Sequence, residues 1–366
     1  MNLQKLKLSD YRNFESASFS FDSNTIHVFW GKNAQGKTNL IEAIYFLSHL
    51  RTWRTSKNGS LIRHGSSAFR LEGTIETKGR RENLRTVFTQ GKKFLFRNEK
   101  PVTTFSNFVG ILNAVLFSPD DLALFSDPPK ERRKFMDMEL VKLSRSYTDR
   151  LASFQKLLKQ RSVILKSYRP DHTLLDTVTD QMIQAETVLI QQRNAFIQLL
   201  EQEAQAVFPL FSEGKEKLSI RYKTCVDPAG DIPAQLKAAY AASQDKDLMM
   251  KTTAVGIHKD DLEFYLDDRL VTQTASQGQK RSIMLALKIG LCQVIQKKTG
   301  QYPVLLLDDV FSELDDSRKA GLIAAFPEDI QIFITTAEMV SPSWFTRPVK
   351  FYTVDHGVMK EGIFDV

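Results

Sequence analysis

The sequence predicts an α/β protein, a mixed sheet with helices plus a β subdomain, interrupted by an inserted helical lobe. Three observations carry this. IHVFW runs straight into GKNAQGKT and then NLIEAIYFL, the order of a strand, a glycine loop and a helix. Apolar strands return far downstream as PVLLLD and QIFIT. Between them, Tyr147, Leu151, Phe154 and Leu158 recur at spacings of four, three and four, and so do Val178, Met182, Ala185 and Leu189, which is the face of a helix.

Taken in order, LQKLKL, ASFSF and IHVFW read as strands separated by turn-prone RNFES and DSN. A helix is expected from about Thr38 to Leu50. AFRLEGTIET, RTVFTQ and KKFLFRN follow as strands of a β subdomain, with KGR, QGKK and NEK as turns. Past SPDDLALFSDPP the pattern turns helical, and the break YRPDH implies two antiparallel helices. Arms of about 35 residues would reach roughly 50 Å. LSIRYKT then reads as a strand, EFYLDDRLV as a hairpin, the stretch from Gln277 as a helix, and PVLLLD and QIFIT as buried strands. The expected divisions are residues 1–115, 116–214 and 215–366.

At 366 residues the chain has length for a deep core and a second lobe. No stretch approaches the roughly 18 apolar residues of a spanning helix, and MNLQKLKLSDYRNF has no continuous apolar core of a signal peptide, so a cytoplasmic protein without a membrane partner is expected. Cys225 and Cys292 lie far apart without a C-x-x-C pairing, which argues against a disulfide framework or zinc site and leaves both as expected core residues. The net charge of +7 is regional: residues 51–100 hold 13 Lys/Arg against 4 Asp/Glu. Such a block suits a phosphate backbone, and it equally suits a solvated basic face.

GKNAQGKT fits G-x-x-x-x-G-K-[ST] in the required strand–helix context. Gly31, Lys32, Asn33, Ala34, Gln35, Gly36, Lys37, Thr38 and the following Asn39 are therefore the expected nucleotide-binding set. Loop amides and the helix start would face the phosphates, Lys37 would add a positive charge, and Thr38 would offer its hydroxyl to Mg²⁺. The partner motif is PVLLLDDVFSELDD, an apolar strand ending in two carboxylates. Asp308 would hold Mg²⁺ through its water, and Asp309 would sit where an attacking water is polarised, so Asp309 and Lys37 are the expected catalytic pair. His258 reads better as a packed residue than as a ligand, and Trp53 as a base-stacking residue or an anchor of the β subdomain.

SQGQKR, just before the helix from Gln277, resembles the signature motif of ATP-binding-cassette ATPases. The segments LKLSDYRNF, GKNAQGKTNLIEAIYFLS, RTWR, FSPDDLAL, PPKERRKFMD, GIHKDDL, SQGQKRSIMLALK and LLLDDVFSELD together resemble the RecF family of recombination-repair ATPases, relatives of the SMC proteins, and span almost the whole chain in the family's order. The resemblance implies an ABC-type P-loop ATPase head with a short helical lobe, binding ATP with Mg²⁺ and forming an ATP-dependent homodimer. Ser276, Gln277, Gly278, Gln279 and Asp315 would then reach the ATP held by a second copy. It further implies slow, switch-like hydrolysis and DNA as ligand, double-stranded or at gap junctions, with single-stranded DNA a further form. RecR and RecO would be partners, RecA an indirect one, and the nucleoid the site of action. For DNA contact the basic block offers Arg51, Arg54, Arg80, Arg81, Lys92 and Lys93. The chain departs from the wider cassette pattern in Asp309, where transport ATPases carry Glu, and in Thr335 and Thr336, where they carry a switch His. Competing readings are the ATP-binding subunit of a transporter, disfavoured by the basic block and helical arm, and an ATP-gated nuclease, which needs a further acidic domain.

Overall fold

The computed structural model describes residues 1–32, 35–212, 216–338, 340–355 and 358–362. Strands β1 (Asn2–Tyr11), β2 (Phe14–Ser20) and β3 (Ile26–Trp30) lead into helix α1 (Lys37–His49), followed by β4 (Ala68–Thr77), β5 (Arg80–Thr89), β6 (Lys92–Arg97), β7 (Lys100–Val102) and β8 (Ala114–Phe117). Next come α2 (Pro129–Leu143), α3 (Arg145–Lys166), α4 (His172–Val207), β9 (Leu218–Lys223), α5 (Ile232–Met250), β10 (Asp261–Leu266), β11 (Arg269–Leu270), α6 (Val271–Thr274) and α7 (Gln277–Thr299). The last elements are β12 (Val304–Asp308), α8 (Asp316–Ala324), β13 (Ile332–Thr336), β14 (Val349–Asp355) and β15 (Val358–Glu361). The chain forms two compact units. One comprises Met1–Leu122, Glu203–Glu216 and Gln277–Val366; the other comprises Ala123–Gln202 and Lys217–Ser276. No described helix is long and apolar enough to cross a membrane.

The first unit holds two six-stranded sheets. One is antiparallel throughout, in the order β2-β1-β4-β5-β6-β7. Its last three turns are two-residue links, Lys78-Gly79, Gln90-Gly91 and Asn98-Glu99, with positive φ at both positions, a geometry that matches the twist of the flanking strands. The other sheet runs β15-β14-β3-β13-β12-β8, parallel except for the edge strand β15. Its central strands β12 and β13 are buried at every residue, as a parallel sheet covered on both faces requires. Helix α1 contacts strands of both sheets and is buried along most of its length. It starts and stops one residue before the expected bounds; it stops there because Leu50 turns left-handed (φ 53°) and returns its N–H to Phe46. Helix α7 is buried from Ser282 to Cys292, and Gly290 lets it approach Ala204, whose backbone N would lie 2.7 Å from an added Cβ.

The second unit packs helices α2 to α5 around the antiparallel sheet β11-β10-β9. Helices α3 and α4 run antiparallel: Tyr147 near the start of α3 bonds Arg193 in the later part of α4, and Arg161 near the end of α3 bonds Thr179 in the early part of α4. They are unequal, contrary to expectation. With 22 and 36 residues they span about 33 and 54 Å. Ser144 sets the difference, since its extended backbone ends α2 and its hydroxyl caps α3 at the N–H of Tyr147. Cys225 is exposed rather than in the core, whereas Cys292 is buried.

This unit buries charge in pairs. Arg193, 1% exposed, bonds Asp260 at 2.9 Å, Asp137 at 2.8 Å, the Tyr147 hydroxyl at 2.9 Å and the Ile257 carbonyl at 3.0 Å. His258 packs near Phe154 and bonds the Thr253 carbonyl at 3.1 Å. Glu186 is fully buried and accepts from the Ile257 N–H and the Tyr240 hydroxyl, both at 2.9 Å. Burial outweighs those two donors and raises the Glu186 carboxyl to about 7. A raised carboxyl costs stability as pH climbs from the unfolded value, near 4.5, through the folded one. Glu186→Gln keeps the shape and an acceptor without the charge. Urea denaturation is expected to show the variant more stable than the parent at pH 8, by up to roughly 3 kcal/mol, and equal to it near pH 4.5. A pH-independent difference would show that Glu186 titrates normally.

Candidate functional site

The site forms where β3, β13 and β12 end side by side. Their register places Thr335 beside both Phe29 and Asp308, so the loop after β3 and the carboxylates after β12 share one edge of the sheet. Gly31 leaves β3 at φ 153°, in backbone space that other residues avoid, and a Cβ there would meet the Val354 carbonyl oxygen at 2.8 Å. Gly36, at φ 109°, stands at the N-cap of α1. Asn33 and Ala34 lie outside the described residues; Gln35 and Lys32 flank them.

Lys37 is 7% exposed and its ammonium donates to the carbonyls of Gly31 and, at 3.0 Å, Lys32. Burial lowers its pKa, opposed by the charges of Asp309 and Asp308. One residue on, the Thr38 hydroxyl donates to Asp308 Oδ1 at 2.9 Å, and the Thr335 hydroxyl donates to the same oxygen at 2.7 Å. Burial raises the Asp308 carboxyl, and these two donors resist the rise. Asp309 turns left-handed (φ 53°), with its N–H held 3.1 Å from both the carbonyl and the hydroxyl oxygen of Thr335. Its Oδ1 is buried and finds no hydrogen-bond partner among the described residues.

These groups line a cavity of about 530 Å³, walled by Arg12, Asn13, Gly36, Lys37, Thr38, Asn39, Arg54, Ser60, Ile62, Asp309 and Thr335. Arg12 and Asn13 escaped the sequence reading because they sit in the turn between β1 and β2, where polar residues are unremarkable. Asn39 links this wall together: its Nδ2 donates to Asn13 Oδ1 at 2.8 Å, and its Oδ1 accepts from Arg54 at 3.0 Å. Arg54 thus faces the cavity, although its place in the basic block grouped it with residues for DNA. The spacing of RTWR from the glycine loop was the available signal. Trp53 packs edge-on against Tyr45 of α1, ring centres 5.1 Å apart.

The other expected residues lie elsewhere. Ser276 and Gln277 are exposed at the start of α7, and the Gln279 amide donates to Glu216. Asp315 caps α8 by accepting from the Arg318 N–H at 2.8 Å and pairs with that guanidinium, which bonds Ser282 at 2.9 Å and lies against Gly278. One arginine thereby joins the starts of α7 and α8. The basic block does not form one patch. Arg80 and Arg81 sit at one end of β5, whereas Lys92 and Lys93 pair with Thr89 and Phe88 at the other, about 30 Å away at the usual rise per residue. Lys93 also donates to the Leu50 carbonyl at the end of α1. Arg51 is exposed just beyond that end.

A model of the RecF/RecN/SMC N terminal domain matches residues 2–360. The DNA replication and repair protein RecF of Pediococcus pentosaceus is 37% identical over 372 residues, covering 99% of each chain. Its counterpart in Bacillus subtilis is 36% identical over 348 residues, covering 93% of this chain and 94% of that one. A solved structure described as the recombination mediator protein RecF-ATP in the RecFOR pathway has a TM-score of 0.90 at 27% identity, covering 99% of this chain and 97% of that one. An Smc head bound to the C-winged helix domain of ScpA, at 16% identity with a TM-score of 0.56 and coverage of 98% and 96%, shares the fold. The fold is that of an ABC-type ATPase head, as the sequence predicted.

Thr335 carries a direct test of this geometry. Thr335→Val keeps the shape and deletes the hydroxyl that serves Asp308 and the Asp309 N–H. Denaturation should show a loss of about 1–3 kcal/mol, greater at pH 7 than at pH 4, because the ionised carboxylate needs the donor more than the neutral acid does. A loss independent of pH would mean that the hydroxyl only fills space.

Proposed function

The chain belongs to the RecF/RecN/SMC family, and from that premise we propose that it is an ATP-dependent, DNA-binding recombination-repair ATPase of the RecF kind. The observation that carries the proposal is the convergence of the Thr38 and Thr335 hydroxyls on one oxygen of Asp308, beside the buried Lys37, at the mouth of the glycine loop. That arrangement ties a phosphate cradle to a cation-binding carboxylate. Gly31, Lys32, Asn33, Ala34, Gln35, Gly36 and Lys37 would hold the phosphates, with Asn39, Arg12 and Arg54 on the wall beside them. The Asp309 Oδ1, without a partner among the described residues, makes with Asp308 and Thr38 an all-oxygen set that fits Mg²⁺, held by Thr38 directly and by Asp308 through water. Bound Mg²⁺ would neutralise charge on the β- and γ-phosphates. Asp309 would orient the attacking water and Lys37 would stabilise charge on the γ-phosphate.

Ser276, Gln277, Gly278, Gln279 and Asp315 lie outside the cavity on the same chain, which supports their use on the ATP of a second copy. The protein would act as an ATP-dependent homodimer, with slow hydrolysis releasing it. It would bind double-stranded DNA or gap junctions in the cytoplasm at the nucleoid, and would help RecR and RecO to load RecA. A second copy is the sharpest thing to test. Lys37→Ala should abolish ATP binding, and Ser276→Arg should spare ATP binding while blocking ATP-dependent dimerisation seen by light scattering. Mixed together, the two give heterodimers with one intact composite site, so turnover should reappear although each parent is inactive. Normal hydrolysis by monomeric Ser276→Arg overturns the two-copy mechanism.

For DNA, the separated ends of the antiparallel sheet act as independent contacts. Neutralising Arg80 and Arg81 should flatten the dependence of log affinity on log salt by about two, and neutralising Lys92 and Lys93 by about one, because Lys93 is engaged with Leu50. At this separation the effects should add. No change in affinity or slope for either pair would assign the basic face to solubility.

A further inference from the structure

Glu42 is fully buried in α1, one turn beyond Thr38 and so on the same face of the helix, and it does not line the cavity. Everything it binds comes from the cavity wall or stands beside it. Arg12 grips it with both arms of the guanidinium, Nε to Oε2 at 2.8 Å and Nη2 to Oε1 at 2.8 Å. The Thr52 hydroxyl donates to Oε1 and in turn accepts the Arg54 N–H at 3.1 Å. The Arg54 guanidinium stands 3.7 Å from Oε2 while bonding Asn39. One carboxylate therefore faces two arginines, one held by two hydrogen bonds and one held loosely, and a positive charge is left over at the wall.

From this we infer that Glu42 is a positioning residue: it fixes Arg12 and aims Arg54 at the anionic part of the ligand, acting on binding through the two arginines and never by contact. The inference rests on the reading of the cavity as an ATP site. A neutral or merely structural carboxylate would be cheaper to replace by an apolar residue, since burying a charge is offset only when it is paired and hydrogen-bonded. Here Glu42 engages two residues of the wall, Arg12 and Arg54, the Thr52 that orients one of them, and the buried Tyr11 next to the other. Anions gain more affinity from a guanidinium already held in place than from a free one, because less side-chain freedom is lost on binding.

Two substitutions separate aim from charge. Glu42→Gln removes the charge and keeps the shape. Simple electrostatics makes the cavity more positive and predicts tighter binding of an anion, whereas positioning predicts weaker binding. Glu42→Asp keeps the charge and draws the anchor back by one methylene, which electrostatics alone would leave without effect. Dissociation constants for Mg·ATP and ADP are measured on the full chain, with thermal unfolding recorded to show that each variant is folded at the assay temperature. We expect at least a tenfold loss of ATP affinity for both variants, and no further effect of Glu42→Gln once Arg12→Met and Arg54→Met are present. Should Glu42→Gln fail to fold, Thr52→Val removes the link between Glu42 and Arg54 with the carboxylate left in place and is expected to weaken ATP binding as well. Parent protein that binds ATP alongside variants that bind it equally or more tightly overturns the role of Glu42 alone. Parent protein that binds no nucleotide overturns the ATP reading, and this inference with it.

Discussion

A single carboxylate oxygen organises the larger unit. Asp308 Oδ1 accepts from the first turn of α1 and from the end of β13, so it joins a helix near residue 38 to two strands beyond residue 300. Those donors are what make a buried carboxylate tolerable, since burial disfavours the charge and each hydroxyl restores part of what water supplied. They also specify register. If β12 slipped by one residue against β13, Asp308 would leave Thr335 and point to the other face of the sheet.

The helical unit solves the same problem with more charge. Arg193 and Arg161 are each about 1% exposed, the first between Asp137 and Asp260, the second on Asp247 with Thr253 and Thr179. Such pairs add little net stability over apolar packing, but removing one member leaves an unpaired buried charge and is costly. They also fix one helix against the next, since Arg193 of α4 bonds Tyr147 of α3 and Arg161 of α3 bonds Thr179 of α4. Gly256 belongs to this network. An added Cβ would lie 2.4 Å from Glu186 and 2.7 Å from the Tyr240 hydroxyl, so the glycine in GIHKDDL makes room for the buried bonds around it.

Legibility in the sequence followed contiguity. Lys37, Thr38, Asp308 and Asp309 could be read because the loop and strand-end motifs are short runs whose neighbours announce a strand or a helix, and β4 and β6 could be read for the same reason, whereas the polar start of β5 (Arg80–Leu84) and the short edge strand β7 could not. Arg12 and Asn13 were not legible as part of the cavity: a tight turn explains them locally, and only the antiparallel pairing of β1 with β2 and β4 brings that turn to the glycine loop. The basic block misled in the opposite way. Thirteen cations within fifty residues suggest one patch, yet alternate turns of the meander carry successive cations to opposite ends of the same strands, and Arg54 leaves the block for the cavity. Linear charge density measures composition, and the hairpins decide where the charge goes.

Asp309 shows how the local backbone limits the chemistry the site can perform. A left-handed residue straight after a strand costs roughly 1–3 kcal/mol for most side chains, and Asp tolerates it better than most because its short polar group bonds locally. The cost persists because the N–H is held twice by Thr335, once by its carbonyl and once by its hydroxyl. The turn takes the carboxylate off the strand axis and into the cavity wall, where one oxygen finds no donor among the described residues. A longer side chain in that position would reach further and with more freedom, whereas this one is short and its backbone is held by the same threonine that serves Asp308. One threonine of β13 thus holds the Asp308 carboxylate through its hydroxyl and the Asp309 backbone through its carbonyl and hydroxyl, which ties both acidic residues to one strand of the central sheet.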